Sequence, residues 1–233
     1  MRPETVSIYL IDFVSNMVDT QKKIVAETAN HLKISYKDDS AGHGWLHLER
    51  VWMMAKKLSK GEEADMFLVE MGALLHDADD YKFRKPGDEE LVNTKKILSR
   101  FEIDSSTKEK IYDIVSHVSF KGGNADDSQK TLEGKIVQDA DRLDVLGAVG
   151  IARVFAYGGW AGHPIYDPEI KPRKNITFEE YKADTPSVNH FYEKLLLLKD
   201  RLNTPQAKKI AERRHRFIKE YLEEFWKEVR GDR

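Results

Sequence analysis

The sequence predicts an all-α protein built as a single domain. Two observations carry this reading. Apolar residues recur three and four positions apart through most of the 233 residues, which is the period of helices with one buried face. Stretches of β-branched residues alternating with polar ones are few, and the seven prolines add to the case for helices joined by turns. Seven to nine helices are expected.

The first is read from about Val6 to Leu32, on apolar positions that include Leu10, Phe13, Val14, Ile24 and Val25. Lys33 to Gly42 is a polar connection. A second helix runs from Trp45 to Leu58, with Leu48, Val51, Trp52 and Ala55 on its stripe and Gly61 after its end. Glu62 to Asp77 is more apolar and reads as a central buried helix. Pro86-Gly87-Asp88 signals a turn, and Glu89 to Phe101 is amphipathic. Ser106, with Glu109 three later, predicts a capping box for a helix from Thr107 to about Val118. Lys121 to Asp127 is a loop. Leu132 to Phe155 is read as helical, with Gly147 and Gly150 marking close packing or a bend. Residues 158–186 hold three glycines and four prolines and are expected to be irregular, long enough for a lid or binding loop. Ser187 is read as the cap of a helix to Leu202. Thr204 then caps the last helix, with Pro205 at its first position and Gln206 to Arg230 following. The domain therefore reads as an N-terminal helix (about 6–32), a core (about 43–157), a loop (about 158–186) and C-terminal helices (about 187–230).

Composition removes several classes of function. The net charge is −2 and the pI near 6.5, so no basic excess or stripe points to nucleic acid. No cysteine is present, which rules out disulfides and thiolate zinc sites and suits the cytoplasm. No apolar run is long enough to span a bilayer, and Met1 to Thr5 lacks the order of a signal peptide. Neither a membrane nor a nucleic-acid partner is expected, and the oligomeric state stays open.

The chemistry centres on Leu74-Leu75-His76-Asp77-Ala78-Asp79-Asp80. A histidine beside an aspartate at the end of an apolar run is a mixed N/O donor pair suited to a divalent metal. On a helix Asp80 would share the face of His76 and Asp77, whereas Asp79 would point elsewhere. Two donors hold a metal weakly, so others are needed. Upstream stand His43 and His47, four apart. Downstream stand Asp139, Asp141 and Asp144 on a largely apolar segment, where buried carboxylates need compensation: coordination for one, pairing to Arg142 for a neighbour.

The order His, then His-Asp, then Asp within Ala140-Asp141-Arg142-Leu143 resembles the HD-domain metal-dependent phosphohydrolase superfamily. The likeness covers nearly the whole chain from about His43 onward. Gly162-His163-Pro164-Ile165-Tyr166-Asp167-Pro168 and Asn189-His190-Phe191-Tyr192-Glu193-Lys194 further resemble a bacterial, nucleotide pyrophosphohydrolase-like branch. The resemblance implies four metal ligands, His47, His76, Asp77 and Asp141; His43, just before its helix, either orients the site from behind or is a helix-end histidine bonded to backbone. It implies Asp80 as the catalytic residue that activates or positions water. One divalent ion is expected, manganese first, with Mg, Fe, Ni, Co or Zn compatible with the same donors. A second metal is disfavoured because only His117 lies between the His-Asp pair and Asp141. Arg50, Lys82, His117 and Lys121 are the expected contacts to substrate phosphates. Tyr166, His190 and Tyr192 could meet a base or sugar, though aromatic residues on helices usually belong to the core.

The implied reaction is hydrolysis of a (deoxy)nucleoside triphosphate to monophosphate and pyrophosphate. A nucleotidase or other phosphodiesterase is the nearest alternative. A non-enzymatic, metal-holding signalling module is the alternative from another class. Ala140-Asp141-Arg142-Leu143 is followed here by Asp144-Val145, where alarmone hydrolases carry His-Asn, which argues against an alarmone substrate.

Overall fold

The structure is a computed structural model. It describes residues 3–37, 44–79, 90–119, 128–174, 177, 180 and 183–232, with side chains from residue 17 onward. Among the described residues all regular structure is helical: α1 (Pro3–Ser35), α2 (Trp45–Leu58), α3 (Met66–Leu75), α4 (Val92–Leu98), α5 (Ser105–Val118), α6 (Leu132–Asp144) and α7 (Gly147–Ala161). An irregular helix, α8, covers 191–201, and α9 (Pro205–Arg230) ends the chain. No described helix is long and apolar enough to cross a membrane.

The core forms around α3, which packs against α1, α2, α5 and α6. Its near-continuous apolar sequence is explained by burial on every side: Val69, Met71, Ala73, Leu74 and Leu75 have no exposed surface. Gly72 lets α5 approach, since a Cβ there would meet Ile114 Cγ2 at 2.8 Å. A second apolar region joins α7, α8 and α9. Phe155, Phe191, Tyr221 and Phe225 pack ring to ring, and Tyr166 sets its edge against Phe225 and Trp226. The Trp226 indole N–H donates to the Tyr192 hydroxyl, so Tyr166 and Tyr192 both take part in this packing.

Several boundaries differ from the sequence reading, each for a local reason. Residues 132–155 form two helices, not one. The chain turns at Val145-Leu146, Gly147 takes a left-handed φ of +79°, and a Cβ on Gly150 would strike the Val145 carbonyl. The cap of α5 is Asp104, not Ser106. Its carboxylate accepts from both the backbone N–H and the hydroxyl of Thr107 and carries charge suited to a helix start. α7 runs on through Gly158 and Gly159 and stops at Gly162, whose φ of +76° suits a helix end. Ser187 precedes α8 without capping it by its side chain; its N–H donates to the Pro164 carbonyl. Thr204 and Pro205 do start α9 as expected.

The middle of the loop between α7 and α8 is tied to α8. Arg173 pairs twice with the buried Glu193 carboxylate, at 3.0 and 2.7 Å, and adds a backbone N–H bond at 2.9 Å. A buried carboxylate of this kind keeps its charge only by such pairing.

Asp139, fully buried on α6, plays the same part between the two apolar regions. It accepts from the backbone N–H and side chain of both Asn203 and Thr204 at 2.7–2.9 Å, fixing where α9 begins. Hydrogen bonds to a charged group contribute about 1.5–3 kcal/mol, and Asp139→Ala strands several donors at once. It is expected to lower unfolding free energy by roughly 3 kcal/mol, read from urea denaturation. A loss below about 1 kcal/mol would show that water replaces the carboxylate.

Candidate metal centre

Two helices and one helix end bring the donors together. His47 lies in the first turn of α2, Asp141 lies in the last turn of α6, and His76-Asp77 lie just past α3, where the backbone leaves the helix in a tight turn. His47, His76 and Asp77 are buried and offer donor atoms within 4.8 Å of one another. His47 Nε2 stands 3.2 Å from His76 Nε2 and 3.3 Å from Asp77 Oδ2. Asp141 Oδ1 closes the group from the side, 3.5 Å from His47 Nε2 and 3.6 Å from His76 Nε2. Metal–ligand bonds of about 2.0–2.2 Å place neighbouring ligands about 3.0–3.5 Å apart, so the spacing fits one ion.

The far side of each ring decides which nitrogen is available. His76 Nδ1 lies 2.8 Å from the Ala73 carbonyl oxygen, an acceptor only, so it carries the proton. His47 Nδ1 lies 2.7 Å from Asp144 Oδ2 and is protonated for the same reason. Both rings therefore turn Nε2 toward one point, and two carboxylates face that point as well. Such a set requires a cation. Without metal the cation is a proton: burial opposes charging His76, but Asp77, Asp141 and the Ala73 carbonyl outweigh it and raise its pKa to about 9. Asp141 moves the other way. Its burial is outweighed by His76 and His47, which hold it below the ordinary carboxylate value.

Asp144 is the residue that sequence reasoning left without a role. Besides His47 it accepts from Arg50 Nε at 2.7 Å, Arg50 Nη2 at 3.0 Å and Arg153 Nη1 at 2.6 Å. Burial raises the cost of its charge, but His47, Arg50 and Arg153 hold its pKa well below the usual carboxylate range. Arg142, the partner expected for a neighbouring acid, donates Nη1 to the Arg201 carbonyl. The signal was present in the sequence: Asp144 follows Asp141 by three and Arg50 follows His47 by three, spacings that share a helix face. Arg153 lies on another helix and gave no such sign.

The other acids and cations divide as follows. Asp79 does point away from the donors and accepts from the Asn93 and Thr94 N–H groups and the Thr94 hydroxyl, starting α4. Arg50 reaches the site through Asp144. His117 gives Nδ1 to the Asp113 carbonyl at 2.8 Å, and it is not within the donor cluster. His43, Asp80, Lys82 and Lys121 lie outside the described residues.

Two outcomes are expected. Replacing Asp144 with alanine removes the acceptor that fixes the His47 tautomer, which lowers metal affinity roughly 10- to 100-fold in a competition titration against a coloured chelator. Unchanged affinity would show that Asp144 serves only the fold. In chelated protein, His76 has a folded pKa of about 9 against about 6.5 unfolded. Its stabilising contribution is therefore full below pH 6.5 and lost as pH rises through 9. His31 and His215 are pushed down by burial and act below that window. The urea midpoint of chelated protein is expected to fall between pH 6.5 and 9, while metal affinity climbs over the same range as the competing proton leaves.

Residues 44–146 match the HD domain family. YpgQ of Bacillus subtilis is 35% identical over 195 residues, 83% of this chain and 88% of that protein. A Lactobacillus plantarum structure at 34% identity superposes with a TM-score of 0.83, covering 90% of this chain and 98% of that one. An HD-superfamily hydrolase from Bacillus thuringiensis is 40% identical, with a TM-score of 0.68 over 91% and 99% of the two chains. YpgQ has also been solved in complex with ADP, at 34% identity and a TM-score of 0.66 over 86% of this chain and 97% of that one. The converging His, His-Asp and Asp donors thus sit in the stretch that the family shares, and the chain belongs to the HD-domain superfamily as a metal-dependent phosphohydrolase.

Proposed function

We propose that this protein hydrolyses a nucleotide, and specifically a nucleoside or deoxynucleoside triphosphate to its monophosphate and pyrophosphate. The observation that carries the nucleotide is the ADP complex of YpgQ, a relative that aligns along most of the chain. The hydrolytic chemistry rests on the donor set, His47, His76, Asp77 and Asp141, which would hold one divalent ion, with manganese as our first choice. Bound there, such an ion lowers the pKa of water and polarises a phosphoryl oxygen.

The chain's own residues have separate tasks. Asp77 and Asp141 offset the ion's charge. Asp144 holds His47 with Nε2 toward the centre, and Arg50 and Arg153 hold Asp144. We assign Asp80 the proton of the attacking water, because it follows the His-Asp pair by three residues. We assign Lys82, Lys121 and His117 to the substrate's phosphates, and we place the reaction in the cytoplasm on the strength of the cysteine-free composition.

A product assay tests this. Protein stripped and reloaded with Mn²⁺ is incubated with dNTPs, NTPs and NMPs, and pyrophosphate, orthophosphate and nucleosides are resolved separately. Pyrophosphate with monophosphate is expected from triphosphates, lost in Asp77→Ala along with metal. In Asp80→Asn turnover falls about 100-fold or more while metal is retained, in line with loss of a general base. Orthophosphate and nucleoside from NMPs would make the protein a nucleotidase instead. Metal binding without turnover of any of them would overturn the nucleotide reading.

A further inference from the structure

A cavity of about 740 Å³ opens between α2, the end of α6, the start of α7 and the middle of α9. None of the four metal donors lines it. Arg50 and Asp144 form the wall it shares with the metal centre. Five cationic side chains line it, Arg50, Lys57, Arg213, Arg214 and Arg216, against two acids, Asp144 and Glu220. Part of this charge is already engaged, since Arg50 holds Asp144 and Arg214 donates to the Leu143 carbonyl. The side chains of Lys57, Arg213 and Arg216 make no hydrogen bond or ion pair with any described residue.

Two further features bear on what could enter. α7 starts in the same wall, with Gly147, Ala148 and Val149 lining it. Its N-cap, Leu146, offers no side-chain acceptor, and its first turn has no acid. The N–H groups at the positive end of this helix therefore favour an anion. Beside the charges, Met53, Val149 and Phe217 are 62%, 43% and 47% exposed, a large apolar surface for a charged pocket. The volume is that of a small-molecule site, and arginine is the side chain best matched to phosphate.

We propose that this cavity binds an organic phosphate. Its phosphoryl charge sits against Arg213, Arg216, Lys57 and the start of α7, and its apolar or aromatic body rests on Met53, Val149 and Phe217. The site is separate from the one that carries out hydrolysis, and its occupancy does not depend on the reaction proposed above.

The test is calorimetric titration of the full chain in EDTA, with ADP and inorganic pyrophosphate as probes. Without metal, Asp77 and Asp141 repel phosphate, so binding under these conditions reports the cavity. Chelated wild type is expected to bind ADP more tightly than pyrophosphate, and Asp77→Ala to bind ADP equally well. The double variant R213A/R216A is expected to bind ADP at least roughly tenfold more weakly, the loss of charge-assisted hydrogen bonds. A148E should do the same by placing a carboxylate at the mouth. Glutamate suits the start of a helix, and thermal melting confirms that both variants fold. The proposal is overturned if chelated wild type fails to bind ADP, if both variants bind it as wild type does, or if Asp77→Ala abolishes binding. Equal affinity for pyrophosphate would remove the organic part of the ligand.

Discussion

Two imidazole nitrogens facing each other at 3.2 Å, both left free for a shared cation by the bonds behind their rings, are the constraint on which the rest of this structure depends. Neither ring could be held so if it were free to exchange its tautomer or turn over. His76 is prevented by a backbone carbonyl of its own helix. His47 is prevented by Asp144, a carboxylate from another helix that must itself stay charged while buried. Arg50 from α2 and Arg153 from α7 supply the positive charge that allows this. The metal centre therefore draws on α2, α6 and α7 at once, and its geometry persists only while these three keep their packing.

The three aspartates of α6 show how one short helix serves three needs. Asp141 and Asp144 are three apart and share a face, one turned to the Nε2 atoms of His47 and His76 and the other to the back of His47. Asp139 is two residues from Asp141, about 200° around the helix, and so looks into the start of α9. A burial cost that would otherwise count against each carboxylate is offset by a different partner in each case. Asp77 and Asp79, two apart past the end of α3, divide the same way between the metal and the cap of α4.

The break between α6 and α7 matters for both concave regions of the molecule. Gly147, with its left-handed backbone, and Gly150, packed on the Val145 carbonyl, turn the chain so that Arg153 reaches back to Asp144. The same turn leaves the start of α7 without a side-chain cap in the wall of the arginine-rich cavity. Asp144 thus stands between a site built for a cation and a site whose charge favours an anion.

Much was legible in the sequence. Helical periodicity located α2 to the residue, because its apolar stripe and flanking glycines are local signals. The order of His47, His76-Asp77 and Asp141 carried the family resemblance, because metal ligands must be particular residue types. Asp79 was rightly set aside by its spacing. What only the tertiary structure decided was everything that depends on a partner distant in the chain. The role of Asp139, and the part of Asp144's role that rests on Arg153, were hidden because Asn203, Thr204 and Arg153 meet them through packing, which no local pattern encodes. Gly147 and Gly150 marked the bend within residues 132–155, but that it divides two helices was decided by close backbone approach at a glycine. Residue types and periods are properties of the chain itself, whereas the compensation of buried charge exists only once helices far apart in sequence have come together.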